Sequence, residues 1–244
     1  MRPNDSQVGC TELVYDGFRI SDIFQVVDLA IPVLPGIEAV SHELAQRPGA
    51  YFVARKVGTR QVKVRLRLDA ESRNPTVIFD EWRKVSHNLA KTEPKKLYVG
   101  TDTYMNALLV GDSVIEDNAY YGEVELTFVC FDPYIHGQAH SVQLSNMSAK
   151  TLNVEGNSPA FPVATGTATR ESVTVRNVTT GQYVTIPSAG NGTTVVVDMA
   201  KQLATVNGSF APVNLESDFF GIEGTVSVRF EGMSGTLDYE ELYL

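Results

Sequence analysis

His136 and His140 stand four residues apart, a spacing at which two imidazoles can share a metal if the backbone is helical. They follow Asp132-Pro133 in a polar stretch that reads as a connector, so the spacing alone does not make a metal site. Glu123 and Glu125 project from one face of a strand pattern. Two neighbouring carboxylates are the minimum for glycoside hydrolysis, and they are also what an ordinary solvated strand face carries. The chain contains no Gly-x-Ser-x-Gly, no phosphate-binding Gly-x-x-x-x-Gly-Lys-Ser/Thr and no His-Glu-x-x-His. No nucleophile, base or metal set converges, so neither an enzyme nor a cofactor is expected. Tyr183, Phe210, Phe219 and Phe220 are the aromatic residues that would stack on a sugar ring. Three of them fall in or beside predicted turns, where rings commonly dock loops onto the core. A two-domain glycan-binding adhesion module, carried by Tyr183, Phe219 and Phe220, is therefore the rival to a structural role.

Composition narrows the classes further. The 244 residues are 43% hydrophobic and carry 20 Lys and Arg against 29 Asp and Glu, a net charge of −9. Such a balance opposes tight nonspecific binding to nucleic acid, which needs cations to displace counterions from phosphate. It does not oppose a surface past which DNA slides. No apolar run approaches the roughly 18 residues of a membrane span, and the start of the chain lacks the apolar core of a signal peptide, so neither membrane insertion nor export is expected. Cys10 and Cys130 are too few and too distant for a disulfide framework and are read as reduced. The four Asn-x-Ser/Thr sequons, at Asn146, Asn177, Asn191 and Asn207, would need a secretory route and carry no weight.

The elements that must position any site are organised around residues 121–137. Val124, Leu126, Phe128 and Cys130 alternate with Glu123, Glu125 and Thr127, which predicts a strand packed on one face. Asp132-Pro133 ends it, because proline donates nothing to a ladder. Phe128, Cys130, Asp132, Pro133 and Tyr134 thus mark the junction where a first domain, residues 1–140, hands over to a second, 141–244. The stretch from Gly137 to Ser145 is expected to be an exposed polar connector. Composition changes across it, from charge of both signs to Thr, Val, Asn, Gly and Ser.

Within the first half, Asp16-Gly17 between short apolar stretches predicts a tight hairpin. Ile23 to Val27 is a β-type run. From Asp28 to Gly49 the pattern weakens, and Ile31-Pro32, Leu34-Pro35-Gly36 and Arg47-Pro48-Gly49 punctuate a segment that cannot be a central strand. Tyr51 to Asp69 reads as strand, with Val62, Val64, Leu66 and Leu68 on one face and Gln61, Lys63, Arg65 and Arg67 on the other. The positive row is either solvated or paired with an acidic neighbour subunit. Asn74-Pro75 starts a helix whose stripe is Ile78, Trp82, Val85 and Leu89, with Asp80 and Glu81 early and Arg83, Lys84 and Lys91 late. Lys96 to Val99, Tyr104 to Val110 and Ser113 to Glu116 are further strands.

The order of these features resembles the distal tail protein family of long, non-contractile-tailed phages. The resemblance rests on Asp-Gly-Phe-x-Ile-Ser-Asp from Asp16, the Pro/Gly-bearing segment ending at Arg47-Pro48-Gly49, the Val62 to Leu68 strand, the helix around Trp82, and Thr127-Phe128 to Tyr134. After Gly49 the chain reads Ala50-Tyr51-Phe52 where a further Asp-Gly would fit the pattern. What the resemblance implies is a β-sandwich or barrel-like ring domain with one helix, assembling as a homo-hexamer that continues the tail tube and leaves a channel for DNA. An arm from each subunit reaches its neighbour, and Ile31, Pro32, Leu34, Pro35, Gly36, Arg47, Pro48 and Gly49 are the candidate contact. Implied partners are the major tail tube protein, a tail-associated lysin or fibre hub, and receptor-binding proteins. The implied location is the tail tip of a virion, after synthesis in the host bacterial cytoplasm.

The second half is almost all strand and turn. Thr151–Val154, Val173–Val178, Tyr183–Ile186, Thr193–Asp198, Leu203–Val206, Thr225–Phe230 and Thr236–Leu242 are β-type runs, with turn signals at Thr180-Gly181, Asn191-Gly192 and Asn207-Gly208. This spacing predicts a sandwich or jelly roll. The resemblance implies that it is galectin-like. The fold class expected for the whole chain is mainly β, with one α-helix.

Overall fold

The structure is a computed structural model that describes residues 12–44, 48–68, 75–100, 102–112, 115–118 and 121–244. Cys10, Arg47 and Asn74, which the sequence places at the helix start, lie outside the described residues. The chain is mainly β and divides into two compact units, one running to Ile135 with Leu244 added, the other His136–Tyr243.

In the first unit, β1 (Leu13–Tyr15) and β2 (Phe18–Arg19) are joined by Asp16 and Gly17, both at positive φ of 50° and 80°. That is the twist-matched two-residue hairpin turn the sequence predicts. A short 3₁₀ turn at Ile20–Asp22 leads into β3 (Phe24–Ala30). There follow β4 (Ile37–Glu43), β5 (Ala50–Val57), β6 (Arg60–Leu68), helix α1 (Pro75–Leu89), β7 (Lys95–Val99), β8 (Tyr104–Val110), β9 (Ile115–Asn118) and β10 (Tyr121–Cys130). Antiparallel pairing runs β2-β1-β7-β8-β10-β6-β3, with β9 also on β10. Strand parity explains the core. Val62, Val64 and Leu66 of β6 lie opposite Phe128, Leu126 and Val124 of β10, and all six are buried. Trp82 packs its ring 4.2 Å from that of Phe24, which docks the helix with Val85 and Leu89 onto the sheet. Asp80 and Glu81 sit mid-helix rather than in its first turn, and pair with Arg83 and Lys84.

The expected single strand from Tyr51 to Asp69 is two, broken at Gly58-Thr59. β4 and β5 pair only with each other among the described residues, making a separate two-stranded sheet inserted between β3 and β6. Among the described residues of the Asp28 to Gly49 segment, 28–30 end β3 and Ile37–Glu43 form β4, so the segment is in part a strand of this hairpin.

The second unit opens on a strand rather than on a connector. Gly137 to Ser145 is not an exposed connector, since β11 (Ile135–Leu144) runs through nearly all of it as a neighbour of the last strand. Its remaining strands are β12 (Ala149–Val154), β13 (Val163–Ala168), β14 (Val173–Asn177), β15 (Tyr183–Ile186), β16 (Thr194–Asp198), β17 (Leu203–Val206), β18 (Ser209–Phe210), β19 (Gly224–Glu231) and β20 (Met233–Tyr243). One sheet orders them β18-β17-β16-β13-β20-β11 and the other β12-β19-β14-β15, all antiparallel where registered. A core that includes Val175, Val197, Phe220, Val228, Phe230 and Leu237 fills this sandwich. Asn207 and Gly208, at φ 49° and 78°, make the tight hairpin turn between β17 and β18. Gly166 and Gly235 face each other across β13 and β20, and a Cβ on Gly235 would collide with the Thr165 carbonyl.

Candidate functional site

The β4–β5 hairpin is the feature that the first unit's own packing does not use. Every residue of β4 and all of β5 except Val57 is exposed. Ile37 and Val40 lie an odd number of residues apart, so they point to opposite faces of the ribbon, and both are exposed. Phe52 and Val53 are 69% and 63% exposed, and Tyr51, Leu34, Val33 and Leu44 add to the same apolar surface. At about 3.3 Å per residue the ribbon reaches roughly 25 Å. A lone two-stranded hairpin is marginal in water, and apolar side chains on both of its faces are what a ribbon held between other surfaces carries.

Of the contact residues expected from the sequence, Leu34, Pro32, Gly36, Pro48 and Gly49 are exposed, which leaves them open to a neighbour. Pro35 is buried in the single chain, and Ile31 is half-buried against the first unit's core. Arg47 lies outside the described residues. The main apolar surface is on the strands themselves, at Ile37, Val40 and Tyr51-Phe52-Val53. The consecutive apolar run at 51–53 was the available sequence signal.

Arg60 holds the root of this hairpin and was missed by sequence reading. It shares the parity of Val62, Val64 and Leu66, which sends its side chain into the core, where it is 1% exposed. Its Nη1 donates to the Pro32 carbonyl at 2.7 Å and its Nε to the Pro133 carbonyl at 3.0 Å. Burial lowers its pKa, but a guanidinium stays charged at neutral pH. Beside it, burial pushes the Cys130 thiol up to about 11, so Cys130 is a neutral core residue and not a nucleophile. A single guanidinium thus ties the hairpin root to the Asp132-Pro133 stop, where Asp132 Oδ1 accepts the Tyr134 N–H at 3.3 Å. The Gly58 N–H closes the root by donating to the Gly36 carbonyl at 2.7 Å. Arg60→Met leaves both proline carbonyls without this donor. We expect it to destabilise the first unit by about 2–4 kcal/mol, from two charge-assisted bonds. Faster amide hydrogen exchange at Gly58 would accompany that loss.

The positive row of β6 finds its acids within the same chain. Arg67 bonds Glu123 at 2.7 Å, and Lys63 and Arg65 approach Glu125 at 3.7 and 3.8 Å, across the β6–β10 ladder. The Glu123 and Glu125 carboxylates are thereby occupied by cations and do not face each other as an acid pair.

In the second unit, β11 puts His136 and His140 on one strand, where each meets a carboxylate of β20. His136 lies 3.0 Å from Glu240, and His140 lies 2.7 Å from Glu241, which also accepts the Tyr243 hydroxyl at 3.0 Å. No cluster of three metal-ligating side chains occurs among the described residues. Of the aromatic residues considered for sugar stacking, Phe220 is a core residue at 1% exposure and is withdrawn, and Phe219 packs against the same core. Tyr183 lies on the open face of β15, its hydroxyl donating to Glu216 at 3.1 Å and its ring under the Arg176 guanidinium at 4.7 Å. Phe210 is exposed on the edge strand β18.

The fold itself is shared with known proteins. Residues 155–243 match the family described as siphovirus-type tail component, C-terminal domain. No curated protein sequence matches the chain. Among solved structures the chain is similar to SPP1 Dit (gp 19.1), described as a paradigm of the hub adsorption apparatus in phages that infect Gram-positive hosts. The TM-score is 0.83 at 14% identity, covering 97% of this chain and 100% of that one. It is also similar to a chain of the phage P2 baseplate in its activated conformation with Ca, with a TM-score of 0.55 at 8% identity over 94% of this chain and 97% of that one. The resemblance to distal tail proteins is thus borne out: residues 155–243 match the siphovirus-type tail component C-terminal domain, and nearly the whole chain has a fold similar to that of SPP1 Dit.

Proposed function

We propose that this chain is the structural hub of a phage tail tip, six copies closing into a ring that joins the tail tube to the adsorption apparatus. The observation that carries the reading is the β4–β5 hairpin, a ribbon of about 25 Å with apolar side chains on both faces and a buried Arg60 at its root. A heterologous contact, in which one subunit's hairpin lies on the next, closes by rotation into a ring. The ring leaves a channel for DNA, and the net charge of −9 favours a weakly repelling passage over a binding one. The second unit holds peripheral proteins. Partners in this reading are the major tail tube protein, a tail-associated lysin or fibre hub, and receptor-binding proteins. The chain is made in the host bacterial cytoplasm and acts in the virion. It has no hydrolytic role, because the Glu123 and Glu125 carboxylates are held by Arg67, Lys63 and Arg65.

Light scattering of the purified chain tests the ring. The expected mass is six copies of the 26.7 kDa chain, or two such rings stacked. A stable dimer or trimer at high concentration in near-physiological salt would count against it.

A further inference from the structure

The β15 edge of the β12-β19-β14-β15 sheet is covered by a segment that is not a strand. Asn177 donates its N–H to the Gln182 carbonyl, and Val175 and Val173 lie opposite Val184 and Ile186, so the bonded pairs of the β14–β15 ladder fall at 182, 184 and 186. The backbone groups of Tyr183 and Thr185 therefore face away from β14. Residues 213–218 take them up. The Asn214 N–H donates to the Thr185 carbonyl at 2.9 Å, the Asp218 N–H donates to the Tyr183 carbonyl at 2.8 Å, and the Ser217 hydroxyl accepts the Thr185 N–H at 3.0 Å. Side chains add to the hold. The Tyr183 hydroxyl donates to Glu216 at 3.1 Å, and the Gln182 amide donates to Asp218 at 2.8 Å.

This segment is anchored at its ends and turned in its middle. Val213 and Phe219 pack against the second unit's core, and Phe220 is buried in it. Between these anchors the Ser217 N–H closes a turn on the Asn214 carbonyl at 2.9 Å, with Leu215 fully exposed at the tip. What the turn presents outward is Leu215, Glu216 and Asp218 rather than a row of backbone groups, so the sheet does not continue past it. The strand beneath needs such a cover. Residues 182–186 are uncharged and are mostly β-branched or aromatic, the composition that favours pairing at a bare edge. Elsewhere in this unit β18 ends its sheet after two residues, and edge strand β12 carries Lys150, both ordinary protections against mispairing. β15 carries no such charge.

We propose that residues 213–218 are an autoinhibitory strap, holding a β15 edge that otherwise pairs with the β15 edge of a second copy of this chain. A two-fold axis at Val184 brings Tyr183 of one copy opposite Thr185 of the other, where each N–H meets a carbonyl in the antiparallel pattern. No charge within residues 182–186 opposes the approach. The backbone groups that this pairing uses include the three that the strap occupies, so strapping and pairing exclude each other.

Fluorescence polarisation on the full chain tests the strap, with a fluorescein-labelled peptide of residues 180–188 as the probe and the same peptide N-methylated at Thr185 as the control. The wild-type protein is expected to bind neither. Asn214→Pro combined with Ser217→Ala strips both backbone partners from Thr185 and should bind the probe but not the control. Hydrogen exchange at the Thr185 amide reads the strap itself. It should quicken about threefold to tenfold in Ser217→Ala, from one lost hydrogen bond, and at least as much in the double variant. If calorimetry shows the double variant melting early, Ser217→Ala alone must bind the probe more tightly than wild type, and failure to do so overturns the proposal. So does equal binding by wild type, fast exchange at Thr185 without binding, or exchange that the double variant leaves unchanged.

Discussion

Phe52→Asp together with Val53→Asp is expected to convert the assembled protein into monomers without moving the thermal unfolding of either unit. Both side chains are well over half exposed in the single chain, so removing them takes almost nothing from its own core. Buried in a contact, each contributes on the order of 1.5–3 kcal/mol. Placing a carboxylate in the same spot adds a desolvation penalty of several kcal/mol. A factor of ten in affinity corresponds to about 1.4 kcal/mol, so each contact loses several orders of magnitude, and a closed ring repeats that loss at every subunit boundary. Light scattering reads the mass and calorimetry reads the unfolding. A double variant that still assembles would show that the hairpin is not the contact. Monomers that also melt early would show that the hairpin belongs to the fold of its own unit.

A second large effect is expected at Phe128. It is fully buried on β10, opposite Val62 on one neighbour and Leu109 on the other, with its ring 5.2 Å from that of Tyr15. Phe128→Ala opens a cavity among side chains already held by three strands and should cost roughly 3–5 kcal/mol. The core of the second unit includes none of these residues. Calorimetry should therefore show the first unit's transition falling by roughly 10–20 °C while the other stays in place. Equal movement of both transitions would mean that the units do not unfold independently.

Sequence reading succeeds where one face of a strand is buried and fails where that contrast is missing. β10 and β6 are plain because Val124, Leu126, Phe128 and Val62, Val64, Leu66 alternate with charge. β13 is not, because its inward positions are Ala164, Gly166 and Ala168, too small to give a hydrophobic period although they lie mid-sheet. β11 hides for a different reason. His136, Gln138 and His140 look like a polar connector, yet Glu240 and Glu241 of β20 supply cross-strand partners to both histidines. The hairpin β4–β5 has no inward face, so no alternation marks it. Arg60 is the instructive miss. Its parity with Val62 placed it in the core all along, but a cation at a strand's first position reads as surface until the Pro32 and Pro133 carbonyls that receive it are seen together. Phe219 and Phe220 show a further limit, since a turn signal beside an aromatic pair does not reveal which ring turns inward.

The exposed hairpin has a consequence for the life of a subunit before it finds its neighbours. Among the described residues neither β4 nor β5 pairs with a third strand, so the ribbon has two outer edges, flanked by Val, Ile and Phe, able to template pairing with another strand. An unassembled chain is therefore most at risk of aggregation at the very element that recommends it for assembly. Its net charge of −9 acts as the brake, keeping copies apart long enough for the specific contact to outcompete the nonspecific one. Salt weakens that brake, since the Debye length is about 8 Å at physiological strength, so aggregation of the isolated chain should rise with ionic strength.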